Sequence, residues 1–166
     1  MVLTLARSTI GFMLRSPSSA KAMKKIIYQN ESGGVSVIIP AESVELALKD
    51  VPEGVAYEIV EDDAIPSDRT FRDAWVMGDC CVEHDLDKCK AIGHERRRAL
   101  RAEEFKPFDD IIAKQIPGTS ATAAETARSD IRLKYALIQD TIDMAKDPAD
   151  IKAALDAATT TEEVTS

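Results

Sequence analysis

The sequence predicts an α+β chain: a small N-terminal unit built on a β-hairpin and three strands, followed by a C-terminal α-helical hairpin. Three observations predict it. Two β-branched runs, Ile26-Ile27-Tyr28 and Val35-Ser36-Val37-Ile38-Ile39, flank Asn30-Glu31-Ser32-Gly33-Gly34, and glycines there supply the positive φ a hairpin turn needs. Ala124, Ala127, Ile131, Tyr135, Ile138, Ile142 and Ala145 recur at threes and fours, the period of a helix with one buried face. The chain has 166 residues, which suits one domain or two very small ones.

The elements follow in order. Residues 1–22 hold Arg7, Arg15 and Lys21 and no acid, the composition of a transit-like segment. Met23 opens directly onto Lys24-Lys25-Ile26-Ile27-Tyr28 and reads as the functional start, leaving 1–22 as a misassigned or disordered leader. In the unit 23–78, Pro40 ends the second strand because it has no N–H for the ladder. Ala41–Leu48 is a short helix candidate, Val51-Pro52-Glu53-Gly54 a turn, and Tyr57-Glu58-Ile59-Val60 a third strand. The region 79–158 reads as helical. Val82, Leu86, Cys89 and Ile92, then Ala99 and Leu100, fall at helical spacing, and Pro107 is expected to interrupt. A segment Asp109–Ile116 stops at Pro117-Gly118, and Thr119 or Ser120 caps the long helix that follows. Leu133, Leu137 and Met144 are expected to widen its buried stripe. Pro148 opens a last short helix with Ile151, Ala154 and Leu155 inward. Residues 159–166 form a polar tail.

Charge narrows the function. The chain carries 21 Lys+Arg and 29 Asp+Glu, a net charge of −8. Without the three cations of the leader, residues 23–166 hold 18 basic and 29 acidic side chains, a net charge of −11. Such a body disfavours a coat on duplex nucleic acid, which works by neutralising phosphates. Three cysteines cannot close a disulfide framework. No stretch approaches the run of about 20 apolar residues that a membrane helix needs.

Two groups of residues stand out as partner-binding candidates. In Ile65-Pro66-Ser67-Asp68-Arg69-Thr70-Phe71-Arg72-Asp73-Ala74-Trp75, Ser67 or Asp68 can cap a helical turn, and Phe71 and Trp75, four apart, would then share a face. Trp75 would be the anchor, with Arg69 and Arg72 beside it. The competing role is packing of this segment against the rest of the chain, the commoner use of a lone Trp. The second group is the helix face Ile131, Tyr135, Ile138 and Ile142, which a helical hairpin could bury in a partner or an oligomer.

All three cysteines and both histidines lie between Cys80 and His94. Cys81, His84, Cys89 and His94 approach the spacing of a retroviral-type zinc knuckle, and their donor types suit tetrahedral zinc. Zinc is the one cofactor candidate. It competes with a helix over the same residues, because five positions along a helix turn the direction by about 140°. His84 to Cys89 and Cys89 to His94 are both five apart. The helical alternative, with Cys89 as a small core hydrophobe and the histidines at the surface, is the simpler arrangement.

Glu95-Arg96-Arg97-Arg98-Ala99-Leu100-Arg101 is the basic cluster. It could hold a phosphate or an acidic partner, or be a solvated helix face balanced by Glu95, Glu103 and Glu104. Glu61-Asp62-Asp63 is most simply a solvated loop. No glycine-rich phosphate loop and no G-x-S-x-G elbow occurs in the sequence. A Cys–His pair at Cys80 or Cys81 with His84 lacks a third group and an oxyanion donor. An enzyme is therefore not expected.

Several stretches carry a resemblance. They are Met23–Ala41 with its hairpin, Asp50-Val51-Pro52 through Ile59-Val60, Ile65–Trp75, Glu83-His84-Asp85-Leu86-Asp87-Lys88-Cys89, and Ile131-Arg132-x-Lys134-Tyr135. Together they resemble a set of small, mostly uncharacterised proteins encoded in bacteriophages and prophages of proteobacteria, often near tail and late structural genes. The resemblance implies a phage setting, a start at Met23 and a helical Cys89. The expectation is a non-enzymatic accessory protein, in the bacterial cytoplasm or on the virion, that binds a protein partner or itself, for example in tail assembly. The alternatives are a small zinc- or nucleic-acid-binding regulator on the Cys/His cluster with Arg96–Arg98, and an acidic inhibitor of a host enzyme.

Overall fold

The computed structural model describes residues 24–79, 81–114 and 120–160. The expected leader, Cys80, the Pro117-Gly118 stop and the end of the tail lie outside them. The architecture is α+β, with a small antiparallel sheet preceding a set of packed helices.

β1 (Lys25–Gln29) is the central strand of a three-stranded sheet, flanked by β2 (Val35–Ile38) and β3 (Tyr57–Val60), both antiparallel to it. The hairpin turn is held by Asn30, whose Oδ1 accepts from the N–H of Ser32 at 3.1 Å and of Gly34 at 2.9 Å. Gly33 there has φ +78°, a conformation that costs a side chain and not a glycine. The register Ile27↔Val37 and Ile27↔Glu58 puts Ile27 on one face. Ile26 takes the other, since successive strand side chains alternate. α1 (Val44–Ala47) is capped by Ser43 Oγ, which accepts from Leu46 N–H.

A second sheet was not legible. β4 (Trp75–Met77) and β5 (Val82–His84) pair antiparallel, Trp75 opposite His84 and Met77 opposite Val82. The expected boundary between residues 78 and 79 falls in the turn of this hairpin, where Gly78 N–H donates to Cys81 C=O at 2.9 Å. Val82 therefore belongs to a strand and not to the helix stripe. It packs with Ile27, Val35, Val60, Ile65 and Trp75 in the core of the N-terminal half.

α2 (Leu86–Lys114) begins one residue after β5. Asp85 makes the join: its N–H donates to Ala74 C=O at 2.8 Å and its Oδ1 accepts from Lys88 N–H at 3.1 Å. The helix runs through Pro107, against expectation. Proline removes one N–H from the ladder, and Pro107 is exposed, so water can take the freed carbonyl. α3 (Ala121–Met144) starts at Ser120, whose Oγ accepts from Ala123 N–H. α4 (Pro148–Thr160) is capped reciprocally: Asp147 Oδ1 accepts from Asp150 N–H, and Asp150 Oδ2 from Lys146 N–H.

The expected hairpin is thus a three-helix assembly in which α2, α3 and α4 each pack on the other two. Cys89, Ile142, Ala145, Ile151, Ala154 and Leu155 form its main core, joined by Phe71 and Ala74 from the preceding segment. Ile131, Tyr135 and Ala158 form a second cluster, with Leu100, Phe105, Phe108 and Ile138 against it. Helices α2 and α4 approach closely at Gly93, where an added Cβ would lie 2.6 Å from Ile151 Cγ2. Leu133, Leu137 and Met144 do not widen the buried stripe. They are 64%, 69% and 73% exposed.

Candidate functional site

The first expected binding group is taken up by the fold itself. Phe71 and Trp75 do not share a helix face, because the helical turn here is a single 3-10 turn, Arg72–Ala74, that delivers Trp75 into β4. Phe71 enters the helical core and Trp75 the sheet core. Trp75 is 1% exposed and cannot anchor a partner from there. Arg69 and Arg72 remain exposed. Asp68 ties the loop to α4: its Oδ2 accepts from Lys152 Nζ at 2.7 Å. That bond, then those from Thr70, hold the Asp68 carboxyl well below the usual carboxylate range, and the same pairing raises Lys152.

The second expected group is also turned inward. Ile131, Tyr135 and Ile142 are buried and Ile138 is half-buried against them. Ile131, Tyr135 and Ile142 line the interface with α2 and α4 and are closed to a partner. The Tyr135 hydroxyl donates to Glu104 Oε1 at 2.6 Å, and Lys134 Nζ reaches the same oxygen at 2.7 Å and Ala158 C=O at 2.8 Å. The Lys134 ammonium, on α3, thus links all three helices.

The Cys/His set is dispersed. His84 lies in β5, where its Nε2 accepts from Trp75 Nε1 at 3.1 Å. Cys89 lies within the helical core, its thiol pushed up by burial first and by Asp85 second. His94 Nε2 meets Asp143 Oδ1 on α3 at 3.0 Å. Cys81 is half-buried in the β4–β5 turn. Among the described residues no three His, Cys, Asp or Glu side chains converge as a metal site requires. The zinc arrangement is corrected for the reason the helix supplied: α2 points Cys89 and His94 apart.

The basic cluster divides in the same way. Arg96 Nη2 donates to Thr70 C=O at 2.7 Å while its guanidinium covers the Phe71 ring at 5.4 Å. Arg97 is buried, with Nη1 donating to Tyr135 C=O at 3.1 Å, and desolvation, then Arg101 and Arg98, lower its pKa. Arg101 lies over Phe105 at 5.2 Å, with Arg128 and Arg132 over the same ring. Arg128 and Arg132 are further held by Glu125. Arg96, Arg97, Arg128 and Arg132 thus staple one element to another, while Arg101 packs along its own helix and Arg98 is exposed.

The outer side of α3 carries the most exposed large apolar side chains among the described residues. Leu133, Leu137 and Met144 each follow a core residue, Ile131, Tyr135 and Ile142, by two positions. Two residues turn a helix by about 200°, so this second stripe faces away from the bundle. Beside it a groove of about 550 Å³ runs between α3 and α4, lined by Leu137, Ile138, Met144, Ala153 and Ala157 with Asp150 at its edge.

Comparison with protein-family models, with curated proteins and with solved structures returns no match.

The candidate site is therefore the Leu133–Met144 ridge with its groove. The sequence held the signal: two apolar sets on one helix, offset by two positions, where a single face would carry only one. Among the described residues no helix is long and apolar enough to cross a membrane.

Proposed function

We propose that this chain is a phage- or prophage-encoded accessory protein, acting in assembly of the tail or another late structure by binding another protein rather than by catalysis. The observation that carries this reading is the outward stripe of α3. Leu133, Leu137 and Met144 stay more than three-fifths exposed while the opposite face of the same helix is filled. Isolated exposed apolar residues are ordinary, but a ridge beside a groove is the form of a helix-docking surface. The burial of Phe71 and Trp75 and the engagement of Arg96 and Arg97 within the fold weaken the other surfaces considered. The phage setting rests on the resemblance of the segments named above.

The reading is tested by placing a photo-crosslinking residue at position 137 of the full chain, in bacteria producing the phage. The expected product is an adduct with a late structural protein encoded beside it. An adduct with nucleic acid would sink the reading. So would unchanged phage yield when Leu133, Leu137 and Met144 are all replaced by Ser.

A further inference from the structure

The charges around the α3–α4 groove specify its occupant, and this step rests on the protein-binding reading above. Asp130 lies three positions before Leu133, and Asp140 three positions after Leu137, so both flank the ridge at helical spacing. Both are exposed. Asp150 edges the groove from α4. The cations of these two helices are all committed elsewhere. Arg128 and Arg132 are held by Glu125 over the Phe105 ring. Lys134 is held by Glu104 and the Ala158 carbonyl. Lys152 is held by Asp68. The ridge is thus apolar along its crest, with Asp130, Asp140 and Asp150 about it against one exposed cation, Lys146, in the turn between the helices.

We infer that the α3–α4 groove receives an amphipathic helix of a partner protein whose apolar face is edged by Lys or Arg. Like charges brought together across a contact are costly, whereas opposite ones steer the encounter and set its register. A second copy docking by the same face would bring Asp130, Asp140 and Asp150 against their own kind. A phosphate backbone meets the same repulsion. A helix with apolar anchors at i, i+4 and i+7 and flanking cations meets both features at once.

The test uses the full chain and a fluorescent synthetic helix of Leu and Lys in amphipathic order, with a Leu/Glu peptide of the same order as control. Anisotropy is expected to show saturable binding of the Leu/Lys peptide and none of the Leu/Glu peptide. Leu137→Ser with Met144→Ser is expected to weaken binding by about tenfold or more. Asp130→Lys with Asp140→Lys is expected to weaken it and to flatten its salt dependence. Thermal melts of both variants serve to show that they fold. Equal binding by the wild type and the Ser variant overturns the inference, since it leaves only general attraction to an acidic body. Preference for the Leu/Glu peptide overturns it too, as does a dimer that the Ser variant dissociates. If the partner crosslinked at position 137 docks through an acidic helix, the charge inference falls while the protein-binding reading stands.

Discussion

Trp75 Nε1 donates to His84 Nε2 at 3.1 Å, across the directly paired positions of β4 and β5. The indole nitrogen can only donate, so the imidazole must present an unprotonated Nε2. The ring planes stand at 80° with centroids 6.4 Å apart. His84, one of the expected zinc ligands, is thus the acceptor that lets a Trp enter the sheet core without an orphaned N–H.

Because Trp75 is the single Trp of the chain, its emission reports this bond. A change in Trp75 emission is expected in His84→Ala, which removes the acceptor, and a smaller one in His84→Gln, whose amide oxygen can accept. His84→Ala leaves the indole N–H unpaired and is expected to cost about 1–3 kcal/mol by urea denaturation. Unchanged Trp75 emission in His84→Ala would contradict the assignment.

Gly93 is expected to resist even Ala. Ala is the better helix former by about 1 kcal/mol, yet its Cβ would lie 2.6 Å from Ile151 Cγ2. Overpacking of this kind costs about 1–3 kcal/mol, so Gly93→Ala should lower stability on balance. Ile151→Leu, which removes the Cγ2 branch, should recover part of the loss in the double variant. Additive losses in the two single variants would show that the clash is absent.

The two stripes of α3 should respond oppositely to truncation. Ile142 is fully buried, and Ile142→Ala should cost about 2–5 kcal/mol. Leu137 is 69% exposed, and Leu137→Ser should stay within about 0.5 kcal/mol. Chemical denaturation of both variants makes the comparison. A large loss in Leu137→Ser would mean that the outer stripe is packed within the chain.

Cys89 should be chemically quiet. Burial foremost, and Asp85 next, raise its pKa, and only the thiolate reacts readily. At mildly alkaline pH the folded chain holds less Cys89 thiolate than an ordinary cysteine would. Alkylation read by peptide mass spectrometry should therefore label Cys89 slowly in buffer and quickly in denaturant. Labelling at the denatured rate in buffer would place the thiol outside the core.

Much of the architecture was legible because it rests on local chemistry. The β1–β2 turn needs only Asn30 and Gly33, and β3 only its short alternation. Ser120 and Asp147 announce the starts of α3 and α4 by their capping oxygens. The β4–β5 hairpin was not legible, since three-residue strands are too short to show a period and Trp75 fits a helix face equally well. Pro107 misled because a proline is tolerated inside a helix wherever its freed carbonyl meets water. The candidate site was half legible: the inner and outer stripes of α3 were both visible, but were merged into one.

The sequence by itself determined the α+β class, the first three strands, the starts of α3 and α4, the acidic body and the residues of the α3 core stripe. Spacing, capping and charge are properties of neighbours along the chain. Only the tertiary structure decided where the long-range groups go. It placed Phe71 and Trp75 in separate cores, parted the Cys/His set, and spent Arg96 and Arg97 as staples. The reason is that α4 and the segment holding Phe71 and Ala74 pack into the helical core, while the Leu133–Met144 ridge on the far side of α3 stays exposed.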